Sequence, residues 1–277
     1  MKYFITGSRG FIARHLIKTL QGDVQTCERM ETTDILDAFE PDIIFHLGAE
    51  LKNNEKMFES NVLLTMKILD YCARKKPKLL VLFGSSSEYG YSTHVMSEDD
   101  LPNPQTVYAG TKTATAMLAK VWSKEYGIPI LYVRPFTIYG EDEKPTKLTQ
   151  ILFNKWRNNQ ALDLTEGVHD YMYVDDFVDI LLRIVPLHTD GFDIINIGSG
   201  VETTNFQFVR EFENATGHSF HVHLKDGIKE TEVWCADVTK LKTKYGVHVN
   251  SDLTLGIKRM VARYLNGTSS SSSDVRP

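Results

Sequence analysis

The stretch Thr6-Gly7-Ser8-Arg9-Gly10-Phe11-Ile12-Ala13 decides how this chain is read. It follows a short apolar run, Tyr3 to Thr6, and opens a segment with apolar residues at Phe11, Ile12, Leu16, Ile17 and Leu20, the period of a helix packed on a sheet. Between a strand and a helix each small residue has a physical reason. Gly7 permits the tight turn, Gly10 permits close approach of backbone to a pyrophosphate, and Ala13 lets the helix lie against the sheet. The amino end of that helix, at Phe11 and Ile12, then faces the anion, where the helix dipole favours negative charge.

Working outward, short apolar runs recur at Asp42 to Leu47, Leu79 to Phe83, Ile130 to Val133 and Ile194 to Ile197, with amphipathic helix-length segments between them. That alternation predicts an α/β chain with a doubly wound, mostly parallel sheet covered on both faces. Asp23 to Glu28 reads as the second strand, yet Thr33-Asp34 already caps the next helix and Pro41 precedes the following strand. A standard dinucleotide fold fits another helix and strand there, so the sheet is expected to be trimmed by one βα unit after strand 2. From Glu141 the apolar strands thin out, with helices expected at Leu148 to Trp156 and Phe206 to Ala215. The expected division is a dinucleotide domain over 1–140, a smaller substrate lobe over 141–266 that lends the strand near 194–197 to the sheet, and a disordered serine-rich tail over 267–277.

Composition narrows the function. The 277 residues carry 31 basic and 36 acidic side chains, a formal net charge of −5, which excludes the broad basic surface that nucleic-acid binding needs. Cys27, Cys72 and Cys235 lack metal-ligand spacing, so no metal site is expected, and their odd count suits a reducing cytoplasm. No apolar run reaches the roughly 18 residues of a membrane helix, and the strand starting directly after Met1 leaves no room for a signal peptide. The expectation is a soluble cytoplasmic protein with no membrane partner.

Three clusters carry chemistry. Glu28 ends the second strand, where an acid can bond both ribose hydroxyls of NAD; Arg29 beside it, and Arg9 in the glycine turn, suit the extra phosphate of NADP. Both cofactors stay open here, and the arginines tilt the expectation toward NADP. Tyr108 and Lys112 stand four residues apart on one helix face, and a nearby ammonium stabilises phenolate, which is expected to lower the tyrosine pKa toward neutrality. Gly84-Ser85-Ser86-Ser87-Glu88-Tyr89-Gly90 puts hydroxyls at a strand's carboxyl end, where open parallel sheets bind ligands.

With those residues in place, the chain resembles the extended short-chain dehydrogenase/reductases, in particular the nucleotide-sugar epimerase, dehydratase and 4-ketoreductase group. The ordered motifs run from Gly7, Gly10 and Ala13 through His46-Leu47-Gly48-Ala49, Asn61-Val62, Gly84 to Gly90, Tyr108 to Lys112, Arg134-Pro135-Phe136 and His169-Asp170-Tyr171 to Asn196-Ile197-Gly198-Ser199-Gly200, and cover roughly residues 2 to 265. The resemblance implies a Rossmann-type fold with Tyr108 as catalytic acid/base, Lys112 as its pKa-lowering neighbour and holder of the nicotinamide ribose, and Ser85 as the hydroxyl on the reacting oxygen, Ser86 in reserve. It further implies that Asn61 supports the site, that Leu47 and Ala49 line the adenosine-diphosphate path, that Pro135 and Phe136 lie on the nicotinamide side, and that Thr137 and His169 meet sugar or diphosphate. A homodimer is implied too, through the Asn61 to Ala73 and Tyr108 to Tyr126 helices.

Two departures bear on substrate and reaction. His169 stands where the family usually has arginine, and near Trp234-Cys235-Ala236-Asp237 the other expected arginine has no match beyond Lys229. Ser86 and Ser87 stand where 4,6-dehydratases carry an acidic pair, which argues against elimination. The expected function is therefore NAD(P)H-dependent reduction of a nucleotide-linked 4-keto-6-deoxy sugar at C4. The alternative is an NAD-dependent nucleotide-sugar 4-epimerase; behind these stand a dehydratase and a non-catalytic dinucleotide-binding sensor.

Overall fold

The computed structural model describes residues 1–28, 32–225 and 233–270. Arg29, Lys229, the capping side chain of Thr33 and the end of the serine run lie outside the described residues. The chain opens with β1 (Lys2–Thr6), α1 (Phe11–Thr19), β2 (Asp23–Cys27), α2 (Thr32–Phe39) and β3 (Ile43–His46). Next come α3 (Asn54–Met57), α4 (Leu64–Lys75), β4 (Leu79–Phe83), α5 (Val107–Tyr126) and β5 (Ile130–Pro135), with a π-helical stretch over Phe58–Leu63 and a 3-10 turn over Ser86–Tyr89. These strands, joined by the later β9 (Phe192–Ile197), form a six-stranded sheet in the order β2-β1-β3-β4-β5-β9. Every pairing in it is parallel.

The expected trimming is what the topology has. After β2 the chain passes through α2 directly to the far side of β1, leaving β2 as the edge strand. The strand order reverses between β1 and β3, and ligands of open α/β sheets bind in the crevice at the carboxyl ends of such a pair. The central strands form because they are apolar throughout: all five residues of β4, Leu79 to Phe83, are buried. Each such side chain contributes about 1.5–3 kcal/mol by leaving water. A strand covered on both faces needs this continuous run rather than alternation.

The second half carries β6 (Thr137–Tyr139), α6 (Leu148–Arg157), β7 (Leu162–Thr165), β8 (Val168–Tyr173) and α7 (Val174–Ile184), then β9, β10 (Glu202–Thr204) and α8 (Asn205–Thr216). It closes with β11 (Val222–Lys225), β12 (Val233–Trp234), α9 (Thr239–Tyr245) and α10 (Leu253–Ser270). Here β8 lies between β10 and β12 and also pairs with β6, while β7 pairs with β11. The two halves are sewn together rather than hinged at residue 140: β6 joins lobe strand β8, and α7 returns to pack on α1. A single apolar cluster joins Ile5, Val81 and Val133 of the sheet to Phe177 of α7 and Phe208 and Phe212 of α8. α10 continues past Gly267 to Ser270, beyond the point where the tail was expected to begin. Among the described residues no helix is long and apolar enough to cross a membrane.

Candidate active site

The glycine turn has the geometry of a phosphate cradle. Gly7 has φ +69°, and a Cβ there would lie 2.7 Å from the Gly48 Cα, so only glycine fits the approach of the β1 turn to the end of β3. α1 then starts at an extended Gly10 with no side-chain cap and no acid in its first turn. Its leading N–H groups, at Phe11 and Ile12, are left for an external acceptor, as a dinucleotide pyrophosphate requires. The Phe11 ring itself turns away and packs edge-on against His15.

Glu28 stands directly past β2, where its Oε1 accepts from the Arg9 N–H (2.8 Å) and from the Ser8 hydroxyl. The acid is thus held at the mouth of the cradle, while the Arg9 side chain is 87% exposed with its Nε 3.9 Å from Glu28. Across the crevice, Leu47, Gly48 and Ala49 follow β3, half-buried. Asn61 clamps the segment just beyond them. Its Oδ1 accepts from the Glu50 N–H (2.7 Å), and its Nδ2 donates to the Glu50 carbonyl (3.0 Å) and the Thr111 hydroxyl on α5 (3.0 Å). Beneath, His46 bridges the Thr6 and Thr65 hydroxyls at 2.6 and 2.9 Å, and burial pushes its pKa down to about 3, so the imidazole is neutral.

Ser85, Tyr108 and Lys112 converge at the carboxyl end of β4. Thr106 caps α5 by accepting from the Ala109 N–H (3.1 Å), which starts the helix just ahead of Tyr108. The Ser85 side chain lies close enough to the Tyr108 phenol to favour its ionised form, and Ser87 Oγ donates to Ser85 Oγ at 2.8 Å. Lys112 is buried; its Nζ donates to the Phe83 carbonyl (2.7 Å) and lies 6.0 Å from the centre of the Tyr108 ring. One expectation is corrected here. Burial pushes the Tyr108 phenol up to about 12, opposed by the Ser85 side chain, and Lys112 does not pull it down. The reason is geometric: the ammonium is drawn back to the strand carbonyl, and its own burial brings it down to about 8.

On the lobe side, Ser86 is buried and its hydroxyl accepts from the Trp234 indole N–H at 2.9 Å, so it joins the seam between the halves rather than standing free as a second catalytic hydroxyl. Trp234 pairs in register with His169 across β12 and β8. His169 is half-buried, its pKa lowered by burial and by Lys147, so it presents a neutral ring instead of the cation the family pattern carries. Thr137 opens β6 and pairs with Tyr171. Pro135 stays half-buried at the end of β5, whereas Phe136 is buried in a small cluster with Tyr89 and Met96, a packing role. Three side chains at the site had no role in the sequence reading. They are Trp234, the buried Glu88, which accepts from the Ser85 N–H (2.8 Å), and Arg134, whose Nη2 is 3.0 Å from the Glu88 carboxylate. The available signals were a tryptophan beside the Ala236-Asp237 motif and an acid inside a serine turn.

A Rossmann sheet with a glycine cradle and an adjacent Ser-Tyr-Lys cluster defines an NAD(P)-dependent enzyme of the short-chain dehydrogenase/reductase type. Residues 3–198 match the NAD dependent epimerase/dehydratase family, and the chain belongs to it. Among curated proteins it is 26% identical to a probable UDP-glucuronate 4-epimerase of Rhizobium meliloti, over 78% of this chain and 83% of the relative. It is 26% identical to the UDP-glucuronate 4-epimerase of Thermodesulfobacterium geofontis, over 88% of this chain and 78% of that one. Among solved structures, UDP-glucuronic acid 4-epimerase from Bacillus cereus, in complex with UDP-glucuronic acid and NAD, superposes with a TM-score of 0.84 at 22% identity, covering 97% of this chain and 100% of that one.

Proposed function

We propose that this protein is an NAD-dependent 4-epimerase of a uridine-diphosphate sugar, working in the cytoplasm as a homodimer. The observation that carries the reading is the Ser85-Tyr108-Lys112 cluster at the carboxyl end of β4 with serines, not acids, at the two positions after Ser85. Reduction and epimerisation use the same three residues, and the 4-epimerase relatives favour the second over the 4-ketoreductase first expected from the sequence. Retention of the whole cluster speaks against a non-catalytic sensor.

In this reading Ser85 holds the C4 oxygen and Tyr108 takes its proton as the C4 hydrogen leaves as hydride, producing a 4-keto sugar. Bound NAD supplies the hydride acceptor and a positive ring that favours phenolate. For inversion the keto sugar would turn over in the pocket, hydride would return from bound cofactor to the opposite face, and Tyr108 would give its proton back to oxygen. Lys112, fixed by the Phe83 carbonyl, orients the nicotinamide ribose beside the phenol. Thr137 and His169 line the sugar side, with the neutral imidazole acting as a hydrogen-bond partner. Glu28, held beside Ser8 and Arg9, is the natural partner of an adenosine ribose, so the cofactor reading moves from NADP to NAD.

The homodimer rests on surface chemistry. Val107, Met117 and Val121 on α5 and Phe58 and Leu63 ahead of α4 are exposed apolar side chains, an area a second copy would cover.

The test is incubation of the purified protein with NAD and UDP-glucuronate or UDP-glucose, followed by chromatography. The expected result is one C4-epimer ratio approached from either sugar with no net reduced cofactor. Stoichiometric consumption of NADPH with a nucleotide-linked 4-keto-6-deoxy sugar, and no interconversion, would return the assignment to reductase.

A further inference from the structure

The Glu88 and Arg134 side chains form an ion pair beneath the active-site turn, 0% and 1% exposed. An ion pair this deep is a weak device for stability, because removing two charges from water offsets most of their attraction. The geometry points elsewhere. Glu88 Oε1 accepts from the Ser85 N–H at 2.8 Å, and the Tyr132 hydroxyl lies 3.0 Å from the same oxygen and 2.7 Å from the Lys112 carbonyl. Oε2 accepts from Arg134 Nε at 3.2 Å and Nη2 at 3.0 Å. The carboxylate therefore touches the turn that aims Ser85 and, through Tyr132, the helix turn that carries Lys112.

The surrounding residues are fitted to it. A Cβ on Gly84 would lie 2.3 Å from Glu88 Oε1 and 2.3 Å from the Tyr132 ring, so the space beside the carboxylate is kept open by glycine. The Arg134 guanidinium sits 4.5 Å over the Tyr89 ring, and the Tyr89 hydroxyl donates to Asn196 Oδ1 at 2.7 Å, which anchors the counter-ion's side of the pair.

We propose that Glu88 is a positioning residue: its carboxylate pins the Ser85 turn and supplies the negative charge facing Tyr108 and Lys112, with Arg134 as its structural counter-ion. This rests on the catalytic reading above for what Ser85, Tyr108 and Lys112 do. The groups that face Glu88 are Ser85, Tyr89, Tyr108, Lys112, Tyr132 and Arg134. Its negative charge holds both the Tyr108 phenol and the Lys112 ammonium in their protonated forms to higher pH. Removing that charge therefore lowers both, and moves the pH profile of turnover toward acid.

Two variants test this in the NAD-loaded enzyme. Glu88→Gln keeps an oxygen for the Ser85 N–H but loses the charge. Glu88→Met with Arg134→Met removes the whole pair without leaving a buried charge unmatched. Both are expected to bind NAD within about twofold of wild type, to lose about tenfold or more in kcat with little change in KM, and to show the acid-shifted profile. A double variant with wild-type kcat and profile would reduce the pair to a structural role and overturn the proposal. The Lys112 titration, followed by NMR on carbon-13-lysine-labelled protein and assigned with Lys112→Met, needs no sugar. Its midpoint near pH 8 is expected to fall in Glu88→Gln, and an unmoved midpoint would overturn the proposal. Should the wild-type protein turn over no nucleotide sugar, the functional reading fails while this titration still decides the role of Glu88.

Discussion

A half-buried phenol and a buried ammonium on one helix turn share a site without offsetting each other's desolvation. With no cofactor bound, desolvation holds the Tyr108 phenol protonated well above neutral pH against the influence of Ser85, and Lys112 spends its charge on the Phe83 carbonyl. Replacing Tyr108 with Phe is expected to cut turnover by about 10²–10⁴ while NAD still binds, measured by steady-state rates and fluorescence titration. A variant with near-wild rates would remove Tyr108 from the chemistry. Glu28→Ala is expected to weaken NAD binding by about tenfold or more, the scale of lost hydrogen bonds to a charged group. That Ser85, Tyr108 and Lys112 would come together at the end of β4 was legible, because the helix spacing and strand context are local. The direction of the phenol's pKa was not, since it depends on how deeply β4 and α5 bury the pair. Nor were Glu88 and Arg134, 46 residues apart, which meet only through the pairing of β4 with β5.

At the scale of elements, the two glycine-dependent turns, after β1 and after β4, set the site. Gly7→Ala places a methyl against the Gly48 backbone at a positive φ, costing at least about 1–2 kcal/mol from conformation alone. Calorimetry and NAD titration should find a lowered Tm together with weakened NAD binding; full NAD affinity would show that the turn tolerates a side chain. The shortened path from β2 through α2 to β3 was readable from the closeness of Asp34 and Pro41 to the second strand, because loop length is a sequence property. The contacts that join the two sides of residue 140 were not. β6 pairs with residues 34 positions later and α7 returns to α1, and such crossings carry no local signal.

For the whole molecule, the packing of α10 on α7, and of α7 on α1 through His15, depends on charge as well as apolar contact. Arg263 of α10 bonds Asp175 of α7 at 2.6 Å and Glu141 at 2.7 Å, and the Asp175 carboxyl is held down to about 2, chiefly by its bond to His15 and then by Arg263. Its contribution is fully present above the ordinary value of 3.8 and is lost as pH falls through about 2. Thermal scans of Arg263→Met should therefore show a deficit at neutral pH that shrinks in acid; a constant deficit would assign the effect to packing. Met117→Asp with Val121→Asp is expected to convert a dimer to a monomer in sedimentation, and an unchanged mass would move the interface elsewhere. The central claim, that a proton shuttles through Tyr108 while hydride leaves C4 and returns, is tested most directly with a uridine-diphosphate sugar carrying deuterium at C4. The account predicts that mass spectrometry finds the C4 epimer with its deuterium still on C4, formed far more slowly by Tyr108→Phe. Deuterium appearing in released reduced cofactor, or an epimer formed equally well without the phenol, would contradict it.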